Sequence, residues 1–538
     1  MTPSLFPKTS LLDCFRNGLA ASPAGLCVHA EDGAFTYSQI AAQAVSAATT
    51  LTGLQDTAPV VGVFAGRESG MFVGMLACLV WGKGYVPISP EFPDKRISDV
   101  ISGATVQTII TTNACLDQLL AVLNSTGVEF TVLVLGDRSF ADRRQSGPVI
   151  GIDVSDTSVG SDAMLPRPNV DPDDIAYLMF TSGSTGAPKG VPITHDNALA
   201  FVEVMQNRYN LGPQDRAICL PDFFFDLSIY PIWVTWDGGG AVFLPSAKDK
   251  MMPIRYCQHH EITVWCSVPS AITFLNNFKM LKEDILPLIR ISVFCGEPLL
   301  KPDTRAWISA CPNSVVDNLY GPTEVTVFST LLPVNDTTLQ LGDGDVISIG
   351  KPLDGVYARI VDNDLNPVDQ GITGELCLAG PQVSPGYWNN ENLTAEKFVV
   401  LPSDDDKDEL RWYRTGDLAV MESDGNMLFK GRADDQVQVS GYRVELGDIE
   451  QAARATTGVD MAAAVFAREP RAKSDAIFLF ATGDPDIEQA IHDRIVDSLP
   501  SYMTPKRIVL IAEMPMNSNN KIDKVALKNK VSNGLSND

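Results

Sequence analysis

The apolar run Asp174-Ile-Ala-Tyr-Leu-Met-Phe180 passes directly into Thr181-Ser-Gly-Ser-Thr-Gly-Ala-Pro-Lys-Gly190, and this join restricts the fold more than any other feature of the chain. The run has the length and texture of a buried strand. A glycine-rich loop leaving such a strand can bring backbone N–H groups close around an anion. The hydroxyls of Thr181, Ser182, Ser184 and Thr185 add donors, and Lys189 adds positive charge. The loop lacks the order Gly-x-x-x-x-Gly-Lys-Ser/Thr, which disfavours a Walker-type kinase or ATPase.

Strands and helices alternate on both sides of this loop. Val60-Val-Gly-Val-Phe64, Val106-Gln-Thr-Ile-Ile-Thr-Thr112 and Phe130-Thr-Val-Leu-Val-Leu135 are runs of strand length rich in β-branched residues. Helix-forming stretches lie between them at Ala41 to Leu51, Gly70 to Trp81 and from Asp94 onward, and Gly82 to Pro90 forms a turn and short strand. Ile262-Thr-Val-Trp-Cys266 and Ile289-Arg-Ile-Ser-Val-Phe-Cys295 continue the pattern. The polar segment Asp137 to Pro172 reads as loop. The prediction is an α/β fold with βαβ units on parallel sheets. From Gly350 to Phe429, short strands separated by Gly, Pro and Asp turns predict a small β-subdomain. Beyond Gly431 comes a separate βα pattern, including Ala462-Ala-Ala-Val-Phe466 and Asp475-Ala-Ile-Phe-Leu-Phe-Ala481, which predicts a small α+β domain. With 538 residues, more than one core is expected. The expected division is an N-terminal core, residues 1–433, and a C-terminal domain, residues 434–538. Ser532 to Asp538 reads as a frayed tail.

A net charge of −25 argues against nucleic acid as a partner. It leaves room for an anionic nucleotide, because local loops and helix N-termini can outweigh the global sign. Ten cysteines run from Cys14 to Cys377 without a C-x-x-C pair. Cys257-Gln-His-His260 has no second cysteine at ligand spacing, so reduced thiols are expected rather than disulfides or zinc. The first residues lack a basic segment followed by an apolar run, and Met71 to Trp81 is too short to span a bilayer. The expectation is a cytoplasmic protein with no membrane partner.

The loop resembles the signature of the ANL superfamily of adenylate-forming enzymes, which includes acyl-CoA synthetases, luciferases and nonribosomal peptide synthetase adenylation domains. Further motifs follow in the family's order. They are Tyr320-Gly-Pro-Thr-Glu324, Gly374-Glu-Leu376, Tyr413-Arg-Thr-Gly-Asp-Leu418, Gly431-Arg-Ala-Asp-Asp-Gln-Val-Gln-Val-Ser-Gly-Tyr-Arg-Val-Glu445 and Asn519-Asn-Lys-Ile-Asp523. The resemblance covers roughly residues 30–525.

Adenylation brings a carboxylate to the α-phosphorus of ATP, so two anions must be neutralised as charge develops on the phosphoryl group. The resemblance implies Glu324 as ligand of Mg²⁺, a hard cation suited to oxygen donors. It implies Lys521, a compact cation on a flexible stem, between the substrate carboxylate and the α-phosphate. Thr185 joins Lys521 and Glu324 as the implied catalytic set. For ATP, the resemblance implies Thr181, Ser182, Gly183, Ser184, Thr185, Gly186 and Lys189 around the phosphates. Gly296, Glu297 and Pro298 are implied along the base, with Tyr320 stacked on it, Asp417 and Arg432 at the ribose, and Asn318, Gly321 and Thr323 as further ATP-binding residues. Asp434 falls at the family's hinge, about which the small C-terminal domain swings between half-reactions. Two departures stand out. Gln438 replaces a lysine found in many adenylation domains, and Asn520 stands where the terminal motif carries glycine, a position asparagine tolerates.

Phe223-Phe-Phe-Asp-Leu-Ser-Ile-Tyr230 discriminates among acids. Asp226 lies where amino-acid-activating members hold an aspartate against the substrate ammonium, and an unpaired carboxylate in an apolar pocket would be costly for a fatty-acid activator. An alternative role for Asp226 is the N-cap of a helix from Leu227. The family's pocket positions map onto Asp226, Leu227, Tyr230, Cys266, Val293, Cys295, Leu319, Val327, Phe328 and Lys521. Apart from Asp226 and Lys521 this lining is uncharged, which implies a small or medium apolar amino acid. The wording around Asp226, Cys266 and Cys295 resembles D-alanine–carrier protein ligases, while Asp226-Leu227 with Leu319 and Val327 also resembles proline-activating enzymes. With no carrier domain after Lys521, the expectation is a stand-alone enzyme acting in trans on the phosphopantetheine thiol of a separate carrier protein. The alternative is an acyl-CoA ligase that uses a non-amino-acid carboxylate.

Overall fold

Strands rich in valine, isoleucine and threonine need cover on both faces, and the structure supplies it. The computed structural model describes residues 8–136, 147–152, 165–183, 188–341, 344–402, 409–470, 472, 475–517 and 521–535. The chain separates into two compact units. The first comprises Met1–Ser89, Ala104–Met179 and Gly190–Ala433; the second comprises Pro90–Gly103, Phe180–Lys189 and Asp434–Asp538.

Among the described residues, one sheet runs in the order Val149–Ile152, Thr131–Leu135, Thr108–Thr112, Val60–Phe64, Gly84–Ile88, Ile175–Thr181 and Lys189–Thr194. Successive strands pair in parallel from Val149–Ile152 to Ile175–Thr181. Every residue of Val60–Phe64, Gly84–Ile88 and Thr108–Thr112 is buried, as expected for parallel strands covered on both faces. Val149–Ile152 corrects the reading of Asp137 to Pro172 as loop. Four residues with two exposed to partial solvent carry too short a pattern to register, and pairing with Thr131–Leu135 fixes them as an edge strand. The helix expected from Ala41 starts earlier, at Tyr37, because Thr36 and Gln39 form a reciprocal capping box.

A nine-stranded sheet carries Ala241–Phe243, Arg216–Cys219, Val264–Ser267, Ile291–Phe294 and Val315–Tyr320 as parallel neighbours, with antiparallel strands at both edges. The expected β-subdomain is a five-stranded antiparallel sheet built on the long strand Glu409–Met421. In the second unit, Val459–Ala467, Ala476–Gly483 and Arg507–Leu510 form a mixed sheet. Helices Leu446–Arg454 and Glu488–Ser498 bury Ile449, Ile491 and Ile495 in one core, and Lys524–Ser532 buries Leu527 and Val531 in another. The supposed tail therefore begins inside a helix, and Leu535 still packs on that core. All ten cysteines are buried and unpaired. No helix among the described residues is long and apolar enough to cross a membrane.

His195, at the first turn of helix His195–Tyr209, is buried, and its Nδ1 accepts a hydrogen bond from the Leu11 N–H at 3.1 Å. Burial lowers its pKa to about 4, against the smaller raising effects of Asp174 and Asp13. Between the ordinary histidine value near 6.5 and about 4, the unfolded chain binds a proton that the folded chain refuses. Stability should therefore fall as pH drops through that window. Urea unfolding across it should show a shallower slope for His195→Gln, which keeps an acceptor but does not titrate.

Candidate active site

In a parallel sheet, the loops beyond the carboxyl ends of the strands are where a ligand finds backbone and side chains together. The nine-stranded sheet places the expected acid-binding residues there. Register pairs Cys219 with Cys266, Cys266 with Val293, and Val293 with Asp317, so these side chains share one face. Leu319 follows on that face, and Cys295 lies just past its strand. Asp226 opens a short 3-10 turn, Asp226–Ser228, followed by a π-helical turn, Tyr230–Val234, in which Pro231 takes the second position. Phe225 rather than Asp226 occupies the cap position of the 3-10 turn, without a side-chain bond. The Asp226 carboxylate is only 7% exposed. Leu227, Tyr230, Val327 and Phe328 are buried in the same core cluster as Cys266 and Cys295. The Tyr230 ring lies 5.7 Å from that of Phe328, and burial raises the phenol well above its usual range.

Strand pairing also assembles the expected ribose residues. Asp417 faces Arg432 across adjacent strands, with Oδ1 accepting from Nη1 at 2.6 Å. Its Oδ2 accepts from the Tyr320 hydroxyl at 2.5 Å, and burial followed by the Asp417 charge keeps that phenol protonated. Gly321 comes next because a Cβ there would meet the Val327 carbonyl oxygen at 2.4 Å. Asn318 turns to the opposite face and donates to the Ser348 carbonyl. Gly296 adopts φ +96°, a backbone that favours glycine, and Glu297 accepts from the Ser270 N–H at 2.8 Å. Thr323 and Glu324 lie on a 3-10 turn, and Glu324 is fully buried with Oε1 accepting from the Tyr387 hydroxyl at 2.7 Å. No cluster of three potential metal ligands occurs among the described residues. One hard carboxylate fits Mg²⁺, which takes few protein ligands and completes its shell with phosphate and water.

The second unit holds the described part of the phosphate loop. Ser182 Oγ donates to the Arg443 carbonyl at 2.7 Å, and Lys189 Nζ lies 3.3 Å from Glu445 Oε1, which also accepts from Gln436. Thr181 ends its strand and Gly183 follows Ser182. Ser184, Thr185 and Gly186 lie outside the described residues, as do Asn519 and Asn520. Lys521 is exposed, and its N–H donates to Asn517 Oδ1 at 3.1 Å. Asp434 begins the long run of this unit and accepts from the Gln436 N–H.

The sequence reading missed the groups that hold these residues. Asp317 is fully buried on the pocket face, gripped by Arg208 through two bonds of 2.7 Å and by the Tyr209 hydroxyl at 2.6 Å. Tyr209 then meets Tyr230 edge-on at 5.8 Å. Tyr387 on Glu324 and Gln382 on the Val325–Phe328 loop were also unseen. A charged residue inside an apolar strand, Asp317, was the one available signal.

An α/β fold with a Gly/Ser/Thr loop leaving a buried strand fits an adenylate-forming enzyme. The AMP-binding enzyme family model matches residues 15–388. AMB antimetabolite synthetase AmbB of Pseudomonas aeruginosa is 32% identical over 529 residues, covering 98% of this chain and 39% of AmbB. Syringomycin synthase SyrB1 of Pseudomonas syringae pv. syringae is 32% identical over 482 residues, covering 87% of this chain and 73% of SyrB1. The crystal structure of the Vibrio cholerae adenylation domain AlmE in complex with glycyl-adenosine-5'-phosphate shares the fold, with a TM-score of 0.84, 24% identity, and 98% and 99% of the two chains covered. The chain spans about two-fifths or less of the length of the first curated relatives it matches. It belongs to the AMP-binding enzyme family.

Removing one partner of a buried ion pair leaves the other uncompensated, at a cost of about 3–5 kcal/mol. Arg208→Ala should approach that loss in urea unfolding, since Asp317 has no solvent to fall back on. Asp317→Ala should cost less, because Arg208 keeps partial access to water.

Proposed function

We propose that the chain activates a small or medium apolar amino acid, of the alanine, D-alanine or proline class, with ATP. The substrate carboxylate oxygen attacks the α-phosphorus, pyrophosphate leaves, and aminoacyl-AMP forms. A phosphopantetheine thiol on a carrier protein then attacks the acyl carbon and AMP departs. The observation that carries this reading is Asp226, a carboxylate buried to 7% exposure whose charge acts on Cys295 of the expected pocket. A buried carboxylate suits a cationic partner, and an α-ammonium is the cation that an amino acid brings. Apart from Asp226 and Lys521, the lining expected from the resemblance carries no charge to pair with a Lys, Arg, Asp or Glu side chain, which favours an uncharged substrate.

The remaining roles follow the family resemblance. Tyr320, Asp417 and Arg432 hold the nucleoside, with Tyr320 anchored by Asp417 while its ring meets the base. Gly296 to Pro298 line the base, and Asn318, Gly321 and Thr323 are further ATP-binding residues. The loop from Thr181 to Lys189 takes the phosphates, and Lys189 exchanges Glu445 for phosphate oxygens as it does so. When bound through Glu324, Mg²⁺ supplies charge neutralisation at the phosphates. Thr185 and Lys521 complete the catalytic set, and Asp434 is assigned as the hinge between an N-terminal core, residues 1–433, and a mobile C-terminal domain, residues 434–538. The thiol acceptor follows the same resemblance.

ATP–pyrophosphate exchange with the proteinogenic amino acids and D-alanine tests the substrate, and stimulation by an apolar member is expected. Asp226→Ala should lower amino acid kcat/KM by about thirtyfold or more, the effect of stripping one partner from a buried charge pair, while ATP still binds. Full activity in that variant would remove Asp226 from the site. Supplying coenzyme A and a phosphopantetheinylated carrier side by side should yield thioester on the carrier; thioester on coenzyme A alone would make the chain an acyl-CoA ligase.

A further inference from the structure

The turn after Glu324 has unfavourable backbone geometry. Thr326 and Val327 both take positive φ, +49° and +70°, in the left-handed region that β-branched residues avoid. Such a conformation persists only where neighbours over-determine it. Here the neighbour is Gln382, 1% exposed. Its Nε2 lies 2.7 Å from the Phe328 carbonyl oxygen and 3.2 Å from those of Val325 and Thr326, so it donates into the whole turn. Thr326 Oγ1 answers by donating to the Gln382 carbonyl at 2.6 Å. Two donors serving three carbonyls hold the turn closed from inside.

The same short segment also holds Glu324. The Ser384 N–H donates to the Glu324 carbonyl at 2.9 Å, and the Tyr387 hydroxyl donates to its carboxylate. Ser384 Oγ reaches the Pro192 carbonyl, and the Trp388 N–H reaches that of Gly190. Residues 382–388 therefore fix the carboxylate assigned to the metal and the turn that presents Val327 and Phe328 to the acid pocket.

We propose that Gln382 is a positioning residue for selection of the acid substrate: its amide holds Val327 and Phe328 in the strained turn that shapes one pocket wall. This rests on the reading of that pocket as the amino acid site. Without the amide donors the turn relaxes toward ordinary backbone angles and the wall moves. Binding of the acid and discrimination among side chains then suffer, while the Tyr320–Asp417–Arg432 cluster, which Gln382 does not touch, keeps its grip on nucleotide.

Gln382→Met keeps most of the side-chain volume and removes both donors. In pyrophosphate exchange its KM for the preferred acid should rise about tenfold, and its preference over the next-best acid should fall by a similar factor. KM for ATP should stay within about twofold, as expected when no contact to nucleotide is lost. Thr326→Val removes only the returning bond and should shift the same two quantities in the same direction by less. Wild-type KM and preference in Gln382→Met would overturn the proposal, as would a uniform fall in kcat with unchanged KM and preference. Should Gln382→Met fail to fold, unchanged selectivity in Thr326→Val would overturn it alone. A wild-type enzyme that exchanges only with a non-amino acid would instead sink the amino acid reading, and the same constants measured with that acid would still decide the role of Gln382.

Discussion

A parallel strand buried on both faces has no solvent along its length, so it can offer chemistry only at its ends. The nine-stranded sheet divides its labour by that constraint. At the amino ends of three neighbouring strands, Asp215 is bound by Arg290 through two bonds of 2.6–2.7 Å and by Thr263 at 2.9 Å. The group ties the starts of Arg216–Cys219, Val264–Ser267 and Ile291–Phe294 together. Beyond the carboxyl ends of the same strands come Asp226, Cys295, Gly296 and Glu297. One end of the sheet is fastened and the other is free to be functional.

The chain carries a charge of −25 yet is read as handling anionic substrates, and buried carboxylates show how the conflict is managed. Asp317 and Asp215 are spent on arginines, Asp417 is spanned by Arg432 and Tyr320, and Glu324 is met by a tyrosine hydroxyl. A carboxylate held by a neutral phenol keeps its negative charge uncancelled by that partner, which suits a metal ligand. One held by arginine is closer to a structural peg. Asp417 combines both kinds of partner, giving a fixed acceptor at the edge of the β-subdomain.

Most of the fold was legible in the sequence because its signals are local. Runs of β-branched residues, an Ala-rich stretch after Thr36 and Gly/Pro/Asp punctuation beyond Gly350 each announce an element from a few residues. Val149–Ile152 escaped because its identity as a strand comes from its neighbour. The candidate site divides along the same line. Tyr320, Asp417, Arg432 and Glu324 stand in contiguous motifs, whereas the residues that orient them do not. Gln382 acts on Val325–Phe328 from more than fifty residues away, and Arg208 reaches Asp317 over 109. Nothing within either stretch of sequence points to the other.

That gap explains why the side chain of the substrate was the hardest property to read. A list of pocket residues gives composition, which here is uncharged apart from Asp226 and Lys521. Selection among similar acids depends on shape at the scale of one methylene, worth about 1–3 kcal/mol. Shape at Val327 and Phe328 is set by two positive φ values and an amide that no pocket list contains. On the proposed reading of the pocket, specificity is encoded partly outside the residues that line it, in the backbone geometry that residues 382–388 impose.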